Sequence, residues 1–185
     1  MPMTEGCLTE EERAHVVQLL HDSQAEFLEL TSGLSDAQWT ARPAPDHWSV
    51  QQTAEHLVLG EAAMLAKIEE ALASAPDPDW VAEDARKTKF LDRVLPDRSR
   101  KVTAPQMLHP HSRWTREEAT ARYREVRART LKLAAEMDQP AKSHLAKHPF
   151  PIFDMLNAYH WLLYIPLHNV RHNQQIAEAL KDVPR

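Results

Sequence analysis

Apolar residues recur every three to four positions along four long stretches of the chain, the spacing of an amphipathic α-helix. In the second stretch, Val50, Leu57 and Ile68 fall on one stripe of a helical wheel. Pro166 lies inside the fourth stretch and is expected to kink that helix or to split it in two. The predicted helices one to four cover residues 10–31, 50–73, 116–137 and 153–181.

The first three helices share a capping motif at their N-termini. A hydroxyl residue is followed three positions later by Glu or Gln, which is the capping-box pattern. The three boxes are Thr9 to Glu12, Ser49 to Gln52, and Thr115 to Glu118. Because each box is followed by helical periodicity, the three starts support one another.

Proline clusters separate the helices from irregular connectors. Thirteen prolines and only three glycines are present, and many of the prolines fall within residues 76–110 and 140–151. The connector over residues 74–114 is long, and a short helix is predicted inside it over residues 81–94. The pattern predicts an all-α protein, a four-helix bundle with a long irregular connector between helices two and three, in one domain over residues 1–185.

Composition narrows the classes of function. The net charge of -5 argues against a nucleic-acid binder, because phosphate contacts need a basic face. No apolar stretch reaches the roughly 18 residues that a membrane span requires. The single cysteine, Cys7, allows no intrachain disulfide, and the acidic start of the chain lacks the apolar core of a signal peptide. The expected location is the cytoplasm.

Histidines provide the candidate chemistry. His168 and His172 are four residues apart, so their imidazoles stack on one helix face and can hold one ion. His56 lies on a flank of helix two beside small residues, where another helix can approach closely. These three side chains predict a metal site with open coordination positions. The alternative is that they are ordinary core or surface histidines, since a pair spaced in this way is a weak signal by itself.

Two further residues are weaker candidates for catalysis. Glu61 places a charge in the apolar stripe of helix two, where it could act as a general base or support a metal ligand. It could equally be a carboxylate that pairs with an arginine or reaches solvent. Gln175, close to His172, could orient a ligand or a bound water, or could be a polar residue near the helix end.

Two segments resemble the DinB-like (DinB/YfiT) family of metal-dependent hydrolases. They are residues 48–57, a Trp-Ser entry that leads to His56, and residues 156–176, which contain the two later histidines followed by Gln-Ile. The resemblance implies a four-helix bundle in which His56, His168 and His172 bind a divalent metal ion, commonly nickel, zinc or iron. It also implies a homodimer and a small-molecule substrate.

The resemblance leaves the reaction open. Some members of this group are transferases that use low-molecular-weight thiols such as bacillithiol or mycothiol, and others are expected to be hydrolases. In the sulfoxide synthases of the group an acidic residue stands where this chain has Gln174, which argues against iron-dependent oxidation. The prediction is therefore a metal-dependent hydrolase or thiol S-transferase. The competing hypotheses are a non-catalytic bundle with a structural metal or a partner-binding role, and a metal-free bundle with a histidine-lined pocket.

Overall fold

The computed structural model describes residues 5–99 and 102–182, and these residues are mainly helical. A short 3-10 turn forms at Gln106–Leu108, within the predicted connector over residues 74–114. The helices and strands, in chain order, are α1 Glu10–Thr31, α2 Asp36–Thr40, α3 Val50–Leu72, α4 Trp80–Val94, α5 Arg116–Glu136, β1 Leu145–Lys147, β2 Met155–Asn157 and α6 Ala158–Asp182.

The three predicted capping boxes are confirmed. In each one the hydroxyl accepts from the N3 amide, and the Glu or Gln side chain accepts from the amide of the cap residue. Ser35 and Gln38 form a further box at the start of α2, a short helix that the sequence analysis did not predict. Local hydrogen bonding therefore fixes where α1, α3 and α5 begin, as expected for motifs confined to four residues.

Four long helices, α1, α3, α5 and α6, form the predicted bundle. Helix α1 packs against α6 and α5, α5 also packs against α3, and α3 packs most closely against α6. The first half of α6 is buried on nearly all sides, from Ala158 to Leu167, so this helix forms the centre of the core. The structure confirms the all-α class. In the part of the chain it describes, no helix combines the length and apolar character needed to cross a membrane.

The predicted start of the last helix at residue 153 is wrong. The helix begins at Ala158, because the preceding residues of β2 pair antiparallel with β1. The side chain of Asn157 accepts a hydrogen bond from the amide of His160 at 2.7 Å, which caps the helix at this point. The helix then continues without a break through Pro166, so the expected split does not occur.

The connector between α3 and α5 folds back over α3. Its helix α4 matches the prediction for residues 81–94 to within one residue. Further along, the backbone amides of His111 and Ser112 donate to the Glu55 carboxylate at 2.8 and 2.7 Å. The side-chain amide of Gln51 donates to the backbone carbonyl of Trp114 at 2.8 Å. These bonds hold the 3-10 turn against the N-terminal half of α3.

Candidate metal centre

Helices α3 and α6 bring His56, His168 and His172 together. The Nε2 atom of His168 lies 3.3 Å from Nε2 of His56 and 3.1 Å from Nε2 of His172. The three residues form a group that could hold a metal ion, with one nitrogen from each lying within 4.8 Å of the others. His56 and His172 are buried, and His168 is partly buried.

A glycine allows α3 and α6 to approach closely at this point. Gly60 lies one turn after His56, and a Cβ added there would lie 3.4 Å from Cε1 of the His168 ring. That distance is the lower limit of ordinary van der Waals contact. The His168 ring therefore occupies the space next to the backbone of α3, as expected from the small residues on this flank.

Hydrogen bonds at Nδ1 orient two of the rings. The Nδ1 atom of His56 lies 2.9 Å from the carbonyl oxygen of Leu108, in the 3-10 turn. Nδ1 of His172 lies 2.9 Å from the side-chain oxygen of Gln175. Because both partners are oxygens that only accept, each Nδ1 carries a proton, and each neutral ring has its lone pair on Nε2. Both lone pairs point toward the His168 ring.

This donor set suits a cation. A proton on Nε2 of His168 could satisfy only one of its two short contacts, whereas a metal ion could accept all three nitrogens. Two nitrogens that bind one ion at about 2.0–2.1 Å lie roughly 2.9–3.4 Å apart in octahedral or tetrahedral geometry. The observed separations of 3.1 and 3.3 Å fall in that range.

Burial keeps the three imidazoles neutral. Desolvation is the largest cause that lowers the pKa of His56, and it lowers the pKa of His168 and of His172 well below the ordinary value. A charge on His56 also disfavours a positive charge on His168 and His172, and Arg171 adds to this effect at both residues of α6. Neutral imidazole is the form that binds metal ions.

Aromatic rings border the centre on the side of the connector. The Trp48 ring lies 4.8 Å from the His56 ring and stacks at 6.4 Å on the His172 ring, measured between centroids. The ring of His109 lies 6.5 Å from that of Trp48. The sequence analysis did not predict that Trp48 borders the site. Its position in the Trp-Ser entry, eight residues before His56, is the feature of the sequence that could have indicated it.

Glu61 lies in a buried ion pair. Its carboxylate accepts two hydrogen bonds from the Arg127 guanidinium, each at 2.9 Å, and one from the Thr130 hydroxyl at 2.6 Å. The side chains of Glu61 and Arg127 are 3% and 0% exposed. Of the alternatives stated for Glu61, the pairing with an arginine is the one observed, and a role as a general base stays a prediction.

The ion pair belongs to a network that reaches the residues next to the histidines. Arg127 also donates to the side-chain oxygen of Asn169 at 2.8 Å, and Tyr123 donates to the same oxygen. The Asn169 amide donates to Asn173 at 2.9 Å, and Asn173 donates to the backbone of Ser23 on α1. Since Asn169 and Asn173 directly follow His168 and His172, the network fixes the rotation of α6 that presents both histidines.

The other histidines lie outside the three-histidine group. His160 is buried two turns before His168 and lies 3.2 Å from the Asp84 carboxylate. His144 donates through Nδ1 to the carbonyl of Ser74 at 2.8 Å. His160 is therefore a packing residue, and two turns of α6 separate it from His168.

Comparisons with known proteins agree with this architecture. The chain is 23% identical over 170 residues to the uncharacterized protein YuaE of Bacillus subtilis (strain 168), a match that covers 91% of this chain and 99% of that protein. It also resembles the solved structure of YfiT from Bacillus subtilis, described as a probable metal-dependent hydrolase with an unusual four-helix bundle topology. That likeness has a TM-score of 0.64 at 15% identity and covers 94% of this chain and 89% of YfiT.

A family model covers most of the chain. It describes the DinB superfamily and matches residues 19–176, a range that contains α2 to α5, both strands, most of α1 and α6, and all three histidines of the group. The chain belongs to the DinB superfamily.

Proposed function

We propose that His56, His168 and His172 bind one divalent metal ion, and that the protein is a metal-dependent hydrolase acting on a small molecule. The observation that supports this most strongly is the convergence of three imidazole Nε2 atoms at 3.1 and 3.3 Å, two of them with lone pairs fixed by hydrogen bonds at Nδ1. The likeness to YfiT, itself described as a probable metal-dependent hydrolase, supports the same reading.

His56, His168 and His172 would hold the ion through neutral imidazoles, and the ion would supply a Lewis acid able to lower the pKa of water toward about 7. The chain supplies the rest. The Leu108 carbonyl and the Gln175 side chain orient His56 and His172, a positioning role that we assign to Gln175. For Glu61 we propose a structural role, because its carboxylate accepts hydrogen bonds from Arg127 and Thr130.

Zinc, nickel and iron all accept imidazole ligands, so the donor set does not select one of them. Thiol transfer requires a binding site for a thiol in addition to the metal centre. Hydrolysis needs only water and an ester or amide at the same centre, and we therefore prefer it. A purely structural metal is less consistent with three protein ligands, because structural sites usually have four. The expectation of a homodimer remains a prediction, which sedimentation of the purified protein would test.

Metal content tests the proposal. Protein purified without a histidine tag and analysed by mass spectrometry for metals is expected to hold close to one equivalent of a divalent metal. His56→Ala is expected to lose most of it. His21→Ala, which changes an exposed histidine on α1, is the matched control and is expected to keep it. Metal in wild type and His56→Ala at the same level would contradict the assignment.

Hydrolysis is tested with the same three proteins. Wild type and His21→Ala are expected to cleave members of a panel of ester and amide substrates, and removal of the metal by a chelator is expected to abolish the reaction. Activity that survives in His56→Ala at the wild-type rate would contradict a metal-dependent mechanism. A stoichiometric metal whose removal only lowers the melting temperature, with turnover of thiol conjugates, esters and amides all absent, would favour the structural alternative.

A further inference from the structure

Three hydrogen-bond donors lie in one buried aromatic cluster beside the three-histidine group. They are His148, Trp161 and Tyr164, called here the donor cluster. The His148 ring stacks on the rings of Trp161 and Tyr164, with centroids 4.9 and 5.3 Å apart. The Tyr164 ring in turn lies 5.9 Å from the His168 ring. The donor cluster therefore adjoins one of the proposed metal ligands.

His148 is a donor through its Nε2 atom. Its Nδ1 accepts a hydrogen bond from the backbone amide of Phe150 at 2.9 Å, so the neutral ring carries its proton on Nε2. Burial is the main cause that lowers the pKa of His148 to about 4, which keeps the ring neutral at pH 7. Within residues 5–99 and 102–182, Nε2 has no hydrogen-bond partner, although the side chain is only 5% exposed.

The other two members also lack acceptors. Trp161 is 2% exposed and Tyr164 is 8% exposed. In the described part of the chain the Trp161 indole N–H has no partner, and neither has the Tyr164 hydroxyl. By contrast, the hydroxyl of Tyr123 donates to Asn169. Buried donors are nearly always paired, and an orphan donor costs free energy. The Trp161 N–H is enclosed, whereas the Tyr164 hydroxyl and Nε2 of His148 keep some contact with the surface, so an acceptor from outside the chain can reach these two donors.

The charge around the donor cluster is positive. Second to burial, the charge of Lys67 lowers the pKa of His148. Burial raises the pKa of Tyr164, which keeps its hydroxyl protonated, and the charge of Arg171 opposes that shift. Such a field favours a negatively charged ligand.

We propose that the donor cluster binds a carboxylate of the substrate, which makes the substrate class a small organic acid. An ionised carboxylate only accepts hydrogen bonds and offers about four lone-pair sites, enough for the Tyr164 hydroxyl and Nε2 of His148. The aromatic walls suit a flat apolar body attached to it. The proposal rests on the proposed function in one respect: the hydrolysable bond of this acid must reach the three histidines.

Benzoate is the probe, because it is a flat carboxylate, and benzamide is the uncharged reference of the same shape. Isothermal titration calorimetry on zinc-loaded protein is expected to show benzoate binding that weakens about tenfold in Tyr164→Phe, which removes one hydrogen bond to a charged acceptor. His148→Asn is expected to weaken it similarly, while its side-chain oxygen still accepts from Phe150. The matched control is Tyr159→Phe, a buried tyrosine near Glu12 and Asp84, which is expected to bind benzoate as wild type does.

Benzoate affinity that is unchanged in Tyr164→Phe would overturn the proposal, since it would show binding at the zinc alone. Benzamide binding as tight as benzoate binding would also overturn it. Because the Tyr164 hydroxyl has no hydrogen-bond partner among residues 5–99 and 102–182, this variant is expected to melt like wild type, and it decides the question even if His148→Asn does not fold.

Zinc affinity is measured separately by competition with a chelator. If the wild-type protein fails to bind zinc, the proposed metal centre is contradicted but the donor cluster is not. Benzoate titration of the zinc-free protein then still compares wild type with Tyr164→Phe. Tenfold weaker binding in that variant supports the donor cluster under either condition.

Discussion

Removing one partner of the Glu61–Arg127 ion pair is expected to destabilise the protein strongly. Both side chains are almost fully buried, at 3% and 0% exposure, and they share two hydrogen bonds of 2.9 Å. In Glu61→Gln the guanidinium keeps its charge but loses the carboxylate that balances it. Leaving one buried charge unpaired typically costs about 3–5 kcal/mol. We expect a loss in this range in the free energy of unfolding.

The double variant Glu61→Leu, Arg127→Met is expected to cost much less than the two single changes together. It removes both charges and leaves apolar side chains of similar volume, a replacement that is often close to neutral. Arg127 also donates to the carbonyl of Leu20 and the hydroxyl of Ser23, which would lose a donor. A residual cost of roughly 1–3 kcal/mol for these groups is therefore expected.

Urea unfolding at pH 7, followed by far-UV circular dichroism, measures Glu61→Gln and the four proteins of the double-mutant cycle. These four are wild type, Glu61→Leu, Arg127→Met and the double variant. The predicted coupling is at least about 2 kcal/mol. Lys67→Ala is the matched control, because the Lys67–Glu70 pair is short, at 2.7 Å, but the two side chains are 32% and 55% exposed. That change is expected to cost less than about 1 kcal/mol. A loss in Glu61→Gln no larger than in the control would refute this account of the buried pair.

Three further predictions concern the centre and its surroundings. Gln175→Leu removes the side-chain oxygen that accepts from Nδ1 of His172, and it is expected to weaken zinc binding about 10–100-fold in chelator competition. The control Gln174→Leu changes an exposed neighbour and is expected to leave zinc binding unchanged. Gly60→Val is expected to displace the His168 ring and weaken zinc binding. Gly60→Ala, whose Cβ would lie 3.4 Å from that ring, is expected to keep the zinc affinity and to gain up to about 1 kcal/mol of helix stability. His148 has its pKa lowered to about 4 in the folded protein, below the value of about 6.5 in the unfolded chain, so the unfolded chain binds the proton first as the pH falls. Lowering the pH from 6.5 to 4 is therefore expected to reduce the free energy of unfolding of the zinc-free wild type. The reduction is expected to be roughly 2 kcal/mol larger than in His148→Asn, after allowance for solvent screening.

Each of these predictions has a contrary result. Equal zinc affinity in the Gln175 and Gln174 variants would show that the hydrogen bond to His172 does not matter for binding. Equal zinc affinity in the Gly60 variants with Val and Ala would show that the His168 ring can move without cost. Parallel pH profiles for wild type and His148→Asn would show that this imidazole is not held neutral by the fold.

The helices were predictable where the signal was local. Capping boxes and apolar periodicity placed the starts of α1, α3 and α5 correctly, because each depends on residues only a few positions apart. The start of α6 was mispredicted because Leu156 fits a helical stripe equally well. Only the pairing of β2 with β1, and the side-chain cap of Asn157, end the strand and begin the helix there.

The convergence of the histidines was predictable for a similar reason. The spacing of His168 and His172 fixes a shared helix face, and the small residues around His56 indicate where α6 can approach. Two features depend on tertiary structure and left no such pattern. Arg127 lies on a helix rich in exposed Arg and Glu, so nothing in its sequence context marked it as the buried partner of Glu61. Likewise, the Leu108 carbonyl reaches His56 only because the connector folds back over α3.

X-ray absorption spectroscopy of the zinc-loaded protein tests the metal centre most directly. The spectrum of wild type is expected to fit three imidazole nitrogens at about 2.0–2.1 Å, and that of His56→Ala is expected to fit no more than two. A wild-type spectrum with fewer than two imidazoles, or one that is identical in His56→Ala, would contradict the claim that α3 and α6 bind one ion between them.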